Sequence, residues 1–258
     1  VYDYIIVGAG SAGCVLANRL SANPAIRVCL LEAGPSDHTY WIRNCNPLNM
    51  LLLMNSRTYN WGYHTEPEAR TGNRGFFWPR GRALGGSSSV NAMIYTRGHP
   101  HDYDHWAALG NPGWDYQSVL PWFRKSERQQ RGADHWHGNQ GSMDVVDTNH
   151  HFPASEAFVQ ACGEAGQVLN NDFNGADQEG CGFFQVTQTP AGQRANSAYS
   201  FLDEARSRPN LTVMTGAHVT RICFSGKTAT GVEVASQGVR GPRDILTATK
   251  EVILSAGV

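Results

Sequence analysis

Three glycines near the start of the chain have the spacing of a phosphate-binding turn. Gly8, Gly10 and Gly13 follow a short apolar run, and Glu32 comes about 20 residues after the last of them. Gly8 permits a tight turn, Gly10 lets a pyrophosphate approach the backbone, and Gly13 lets the following helix pack closely. A carboxylate at position 32 is suited to accept hydrogen bonds from ribose hydroxyls. These residues therefore indicate a dinucleotide site.

The segments around these residues predict a strand, a helix and a second strand. Residues 4–7 and 28–31 are short apolar runs, which are typical of strands buried on both faces. Apolar residues on one face predict a helix over 12–20, whose N-terminus would offer phosphates free N–H groups and the positive end of its dipole. The acid at position 32 disfavours the 2′-phosphate of NADP, while NAD and FAD both stay open.

Composition excludes several other classes of protein. The 258 residues are 41% hydrophobic and 17% charged with a net charge of −1, so nucleic acid is not an expected partner. No apolar run reaches the ~18 residues of a membrane span, and a strand starting at Val1 or Tyr2 leaves no signal peptide. Cys14 and Cys29 fall in a predicted core helix and strand, so we expect reduced thiols. We predict a cytoplasmic protein, either free or peripheral at the inner membrane.

A second informative block covers residues 78–104. Residues 85–89 are two glycines followed by three serines, too small and polar for a packed element. They offer a row of backbone N–H groups with adjacent hydroxyls, which could bind an anion or cap a helix over 90–95.

This block resembles the first signature of the glucose-methanol-choline (GMC) oxidoreductases. The matching positions are Gly81, Arg82, Leu84, Gly85, Gly86, Ser87, Ser88, Val90, Asn91, Tyr95, Gly98 and Asp104. Residues 4–13, 31–34 and 60–67 are similar to the same family, and the chain is nearest to its bacterial choline-dehydrogenase-like alcohol dehydrogenases. The resemblance implies FAD rather than NAD.

The resemblance also implies which residues hold FAD. Residues of the first glycine turn and Ala256 would meet the diphosphate, Glu32 the adenosine ribose and Val219 the adenine. Arg80, Gly81 and Gly86 would line the pyrophosphate and ribityl side, and residues 91–94 would lie along the flavin ring. The implied set is Gly8, Gly10, Ser11, Gly13, Glu32, Ala33, Arg80, Gly81, Gly86, Ser87, Asn91, Ala92, Met93, Ile94, Val219 and Ala256.

Two further positions bear on this site. Some family members attach FAD covalently through a histidine just before the asparagine matched by Asn91, but this chain has Val90 there. A hydrocarbon side chain cannot form that bond, so the resemblance implies non-covalent FAD. Trp61 could line the pocket or pack in the core, and we favour the core because aromatic side chains are mostly buried for hydrophobic reasons.

The predicted fold class is α/β. The resemblance implies an FAD-binding Rossmann-like domain at 1–138 and 193–258 and the first part of an α+β substrate-binding domain at 139–192. Sequence patterns predict helices over 102–109, 114–126, 155–166 and 194–205, and strands over 142–146, 183–189, 211–214, 218–224, 229–235 and 251–254. Residues 129–140 are interpreted as an exposed loop.

A metal site is the alternative function for one histidine pair. His101 and His105 could share a helix face as zinc ligands do, but no third ligand follows at a useful spacing. We therefore interpret this segment as the acidic start of a helix and predict no metal.

For the complete protein, the resemblance implies oxidation of a primary alcohol to an aldehyde. A histidine would take the hydroxyl proton, hydride would pass to flavin N5, and a quinone-like acceptor or O₂ would take the electrons. That histidine lies near the C-terminus of longer family members, so we expect this chain to be an N-terminal half without a catalytic residue. Two alternatives stay open: an FAD-containing lyase of the hydroxynitrile-lyase type, and a non-catalytic FAD-binding fragment.

Overall fold

A computed structural model describes residues 1–236 and 238–257, and it contains two compact units. The first unit comprises the described residues of 1–92 and 194–258, and the second comprises residues 93–193. The predicted domain bounds differ from these units over residues 93–138 and at residue 193. The assignment of those residues to a functional domain stays a prediction.

The elements of both units are as follows in chain order. They are β1 (Tyr2–Val7), α1 (Ser11–Ser21), β2 (Val28–Leu31), α2 (Tyr40–Arg43), α3 (Pro47–Asn55), β3 (Tyr63–His64), β4 (Phe77–Trp78), α4 (Pro100–Ala108), α5 (Tyr116–Ser126), β5 (Glu127–Gln129), β6 (Met143–Val145), α6 (Pro153–Glu164), β7 (Leu211–Met214), β8 (Ala217–Ser225), β9 (Thr228–Ser236) and β10 (Arg243–Leu254). Short 3₁₀ turns cover Ala69–Thr71 and Gly86–Ser89, and a π-helical turn covers Ala198–Leu202.

The first unit is built on a mixed sheet with the strand order β7-β2-β1-β10-β9-β8. β1 pairs in parallel with β2 and β10, whereas β9 runs antiparallel to β10. Ile5 lies opposite Cys29 in this register, and both side chains are fully buried. This burial agrees with the apolar runs of β1 and β2, which suit strands covered on both faces. The predicted βαβ unit and the α/β fold class are confirmed.

Most other predicted elements are also present, with shifted ends. The predicted strand over 251–254 is the end of the longer β10, and the helix over 114–126 begins at Tyr116 with Asp115 as its N-cap. Among the helices of the described residues, none has the length and apolar character needed to cross a membrane.

Three predicted elements are wrong. Residues 90–95 form no helix. The 3₁₀ turn before them ends at Ser89, and the Asn91 carbonyl then accepts a hydrogen bond from the Arg194 side chain. Residues 183–189 make isolated bridges through Val186 instead of a strand. Residues 194–197 precede the π-helical turn rather than starting a helix, since their polar groups bond to a distant loop.

The second unit contains a buried charge cluster around His137, a residue that the sequence pattern predicts in an exposed loop. The Nδ1 atom of His137 lies 3.0 Å from Glu127 Oε1, and its Nε2 lies 2.9 Å from Asp172 Oδ2. Arg97 Nη2 is 2.9 Å from the same Glu127 oxygen. His137 is 3% exposed and Glu127 is fully buried, so the prediction of an exposed loop over 129–140 is wrong at this histidine.

Candidate cofactor-binding site

The first glycine turn is held close to the strand that precedes it. Gly8 has φ +96°, a left-handed conformation that glycine tolerates best. A Cβ at Gly13 would lie only 1.9 Å from the Gly8 carbonyl oxygen. The predicted close packing of helix and strand at Gly13 is therefore confirmed, because no larger residue fits without moving the backbone.

The N-terminus of α1 is open to an external anion. Its N-cap residue is Gly10, which supplies no side-chain hydrogen bond to the helix. The first N–H groups of an α-helix have no intrahelical partner, and the helix dipole adds partial positive charge at this end. A phosphate group would satisfy both features.

Glu32 follows the end of β2 and shapes the same turn. Its Oε2 accepts the Ala9 N–H at 3.0 Å, and its Oε1 accepts the Gly34 N–H at 2.8 Å. Burial raises the pKa of this carboxyl, while the two backbone donors act in the opposite direction. Each carboxylate oxygen has capacity for a further donor, such as a ribose hydroxyl.

A second glycine turn lies against the first. The Gly85 N–H donates to the Ala9 carbonyl at 2.8 Å. Gly86 has φ +54°, and a Cβ there would lie 2.7 Å from Gly10 Cα. A Cβ at Gly81 would lie 2.1 Å from the Gly86 carbonyl oxygen. Three glycine backbones thus approach one another where side chains would collide.

Gly10 is the exception in this crowded region. A Cβ built there meets only Gly86 Cα, at 3.9 Å, which is an ordinary van der Waals distance. The protein itself therefore leaves room for a methyl group at this position. The space, the open helix end and the nearby Glu32 carboxylate fit the pyrophosphate and ribose of a dinucleotide.

The structure brings most of the predicted cofactor residues into the first unit. These are Gly8, Gly10, Ser11, Gly13, Glu32, Ala33, Arg80, Gly81, Gly86, Ser87, Asn91, Ala92, Val219 and Ala256, while Met93 and Ile94 belong to the second unit. Within the second unit, Met93 has φ +63° and its carbonyl accepts the Thr187 N–H at 2.8 Å. The roles of all these residues in binding stay predictions.

Trp61 packs against aromatic and charged side chains rather than in the hydrophobic core. It is half-buried, with the Arg82 guanidinium 5.1 Å from its ring and the His218 ring 5.7 Å away at a steep angle. Arg82 Nη2 also reaches the Ala33 carbonyl at 3.4 Å. The prediction that Trp61 packs in the core is wrong, because the indole is only half-buried and is flanked by a cation, an imidazole and the stacked Tyr63 ring.

Sequence patterns did not reveal the three buried residues that bond to the segment after the second glycine turn. Arg194, Asn196 and Ser197 are each at most 2% exposed, and all three bond to residues 88–91. The only signal in the sequence is a mostly polar run, residues 194–197, inside an expected amphipathic helix. Such a run cannot reveal a partner about a hundred positions away.

Metal ligands do not gather in the part of the chain that the structure describes. Across residues 1–236 and 238–257, no group of three or more His, Cys, Asp or Glu side chains could hold an ion. The His101 and His105 rings lie 6.4 Å apart on α4, and His99 caps that helix in a reciprocal pair with Asp102.

A family model described as GMC oxidoreductase matches residues 2–258. The chain belongs to the GMC oxidoreductase family. GMC oxidoreductases are FAD-dependent. The resemblance drawn from the glycine and serine motifs is therefore confirmed.

Named relatives agree with this assignment. The chain is 49% identical to an alcohol dehydrogenase [acceptor] of Pseudomonas putida over 258 residues, covering 100% of this chain and 46% of the relative. It is 42% identical to a mitochondrial choline dehydrogenase of Mus musculus, covering 99% of this chain and 43% of the relative. An FAD-dependent oxidoreductase from Chaetomium thermophilum superposes with a TM-score of 0.90 at 32% identity, covering 100% of this chain and 46% of that one. The chain spans about half the length of the curated relatives it matches.

Proposed function

We propose that the full-length protein is an FAD-dependent dehydrogenase that oxidises a primary alcohol to an aldehyde. The observation that carries this proposal is the close approach of the Gly10 and Gly86 backbones at the N-terminus of α1. It occurs in a GMC oxidoreductase chain that is 49% identical to an alcohol dehydrogenase. FAD supplies the redox chemistry, since its flavin accepts a hydride from an alcohol carbon.

The residues of this chain would bind and orient the cofactor. Gly10 and Gly86 would leave the diphosphate space to approach the backbone, and the N–H groups at the start of α1 would donate to it. Glu32, already oriented by two backbone donors, would accept the ribose hydroxyls. Residues 91–94 would lie along the flavin. We assign no catalytic base within the described residues.

We further propose that FAD is bound without a covalent bond. The hydrocarbon side chain of Val90 has no nucleophilic atom. It is also only 4% exposed and packs with Ile42, Leu53 and Ala83, so it has no open path to a ligand. Acid precipitation of the purified full-length protein should release all of the yellow colour to the supernatant. Colour that stays in the washed pellet would contradict this prediction.

The reaction class can be tested by anaerobic titration of the full-length holoprotein with primary alcohols of increasing chain length. Bleaching of the visible flavin band is expected for at least one alcohol, because electrons that enter the flavin cannot leave without an acceptor. The matching tertiary alcohols are the control, since their carbinol carbon carries no hydrogen to transfer. Bound FAD that no alcohol bleaches would overturn the proposal and favour a lyase.

The electron acceptor is proposed to be quinone-like. After reduction by alcohol, the holoprotein should be reoxidised much faster by a soluble quinone than by dissolved O₂ in a stopped-flow experiment. Equal or faster reoxidation by O₂ would show an oxidase instead.

A further inference from the structure

The side chain of Arg194 is the largest one that the described residues bury completely, at 1% exposure. Its Nη1 lies 2.8 Å from the Asn91 carbonyl oxygen, 2.9 Å from Asn91 Oδ1 and 3.2 Å from the Ser88 carbonyl oxygen. Its Nε donates to the Ile42 carbonyl at 3.2 Å. One guanidinium therefore joins the turn at residues 88–91 to α2.

These acceptors are all neutral. Within residues 1–236 and 238–257, the ion pairs formed by arginines in the first unit involve Arg43, Arg206, Arg221 and Arg243, and none involves Arg194. Burial lowers the pKa of Arg194, and the nearby Cys45 thiol acts in the opposite direction. Burying an arginine without a carboxylate partner costs free energy. Its hydrogen bonds to carbonyl groups must offset that free energy, or the residue must have another role.

Two neighbours of Arg194 bond to the same turn. Asn196 Nδ2 donates to Ser89 Oγ at 2.8 Å, and the Ser197 N–H donates to Ser88 Oγ at 2.9 Å. Residues 194–197 thus hold positions 88, 89 and 91 from the side of the core. The turn they hold continues directly from Gly86, whose backbone contacts Gly10.

We propose that Arg194 is a positioning residue for the flavin half of the cofactor, acting through Asn91 and the turn at residues 88–91. The inference rests on the proposed FAD site. Arginine suits this task because its planar fork can bond several carbonyl oxygens in fixed directions, whereas lysine offers a single point charge. Gly10 and Glu32, the residues proposed to bind the adenosine half of the cofactor, make no bond to Arg194 among the described residues.

Arg194→Lys in the full-length apoprotein tests this role, with FAD and ADP titrated separately. The dissociation constant of FAD should rise at least about tenfold through lost charge-assisted hydrogen bonds, while that of ADP should stay within about twofold. The visible circular dichroism of the bound flavin should change as well, because Asn91 moves. Arg243→Lys is the matched control: its guanidinium pairs with Glu233 on the neighbouring strand β9 and makes no bond to residues 88–91 or 194–197 among the described residues, so both constants should be unchanged.

The outcomes separate the inference from the proposed function. If the wild-type protein binds neither FAD nor ADP, the proposed site fails and the inference fails with it. If the wild type binds both and Arg194→Lys changes neither constant, or weakens both equally, only the positioning role is overturned. Arg194→Gln, which removes the charge, should weaken FAD further; if that variant does not fold, the lysine variant decides alone.

Discussion

The Gly10→Ala substitution is expected to leave the fold intact and to abolish FAD binding. In the protein alone a methyl group at this position would meet only Gly86 Cα, at 3.9 Å, and Gly10 has φ −77°, which alanine adopts readily. A pyrophosphate that approaches the backbone here would collide with the same methyl group. We expect an apoprotein with a wild-type melting temperature and a dissociation constant for FAD raised at least about 100-fold, equivalent to about 3 kcal/mol.

Gly13→Ala is the matched comparison, because its added methyl group would lie 1.9 Å from the Gly8 carbonyl oxygen. This clash is with backbone, so we expect a loss of stability of at least about 1–3 kcal/mol together with the loss of FAD. Thermal unfolding and FAD titration of both full-length variants check the pair. Gly10→Ala protein that unfolds as early as Gly13→Ala protein, or that still binds FAD tightly, would refute a cofactor role for the space at Gly10.

The two glycine positions show why this part of the fold could be predicted from sequence. The signals for β1, α1 and β2 lie within about 30 consecutive residues and each has a local cause, as expected for a βαβ unit. The apolar runs give buried strands, and the glycines give a turn that side chains would block. The family resemblance extended the prediction to the second glycine turn, which the structure places directly against the first.

The features that were missed depend on contacts between distant segments. Arg194, Asn196 and Ser197 are polar and lie before an apolar pattern, so their sequence resembles the start of a helix. Their partners at residues 88–91 are about a hundred positions away, and no local pattern encodes that contact. The prediction of an exposed loop fails at His137 for the same reason. Only the folded chain brings Glu127 and Asp172 into contact with its ring.

His137→Gln is expected to destabilise the second unit most strongly in mildly acidic solution. Burial alone would lower the pKa of His137, but hydrogen bonds to Asp172 and Glu127 outweigh burial and raise it to about 9. Since the unfolded value is about 6.5, the protonated form contributes about 3 kcal/mol of stability below that pH. This contribution declines as the pH rises through about 9. Thermal unfolding of the full-length protein from pH 5 to 10 should show the wild-type advantage over His137→Gln shrinking across that range.

His135→Gln is the matched control, because His135 is exposed and carries the same substitution two residues away. It should change the melting temperature little at any pH. The carboxyl groups of Glu127 and Asp172 act at the other end of the pH range. Burial raises the pKa of each, but hydrogen bonds to His137 and to backbone N–H groups, with nearby arginine charge, outweigh burial and lower both values. Their contribution is therefore lost only as the solution becomes strongly acidic. A penalty for His137→Gln that is equal at pH 6 and pH 10 would mean that His137 stabilises the unit by packing and hydrogen bonding alone, without its charge.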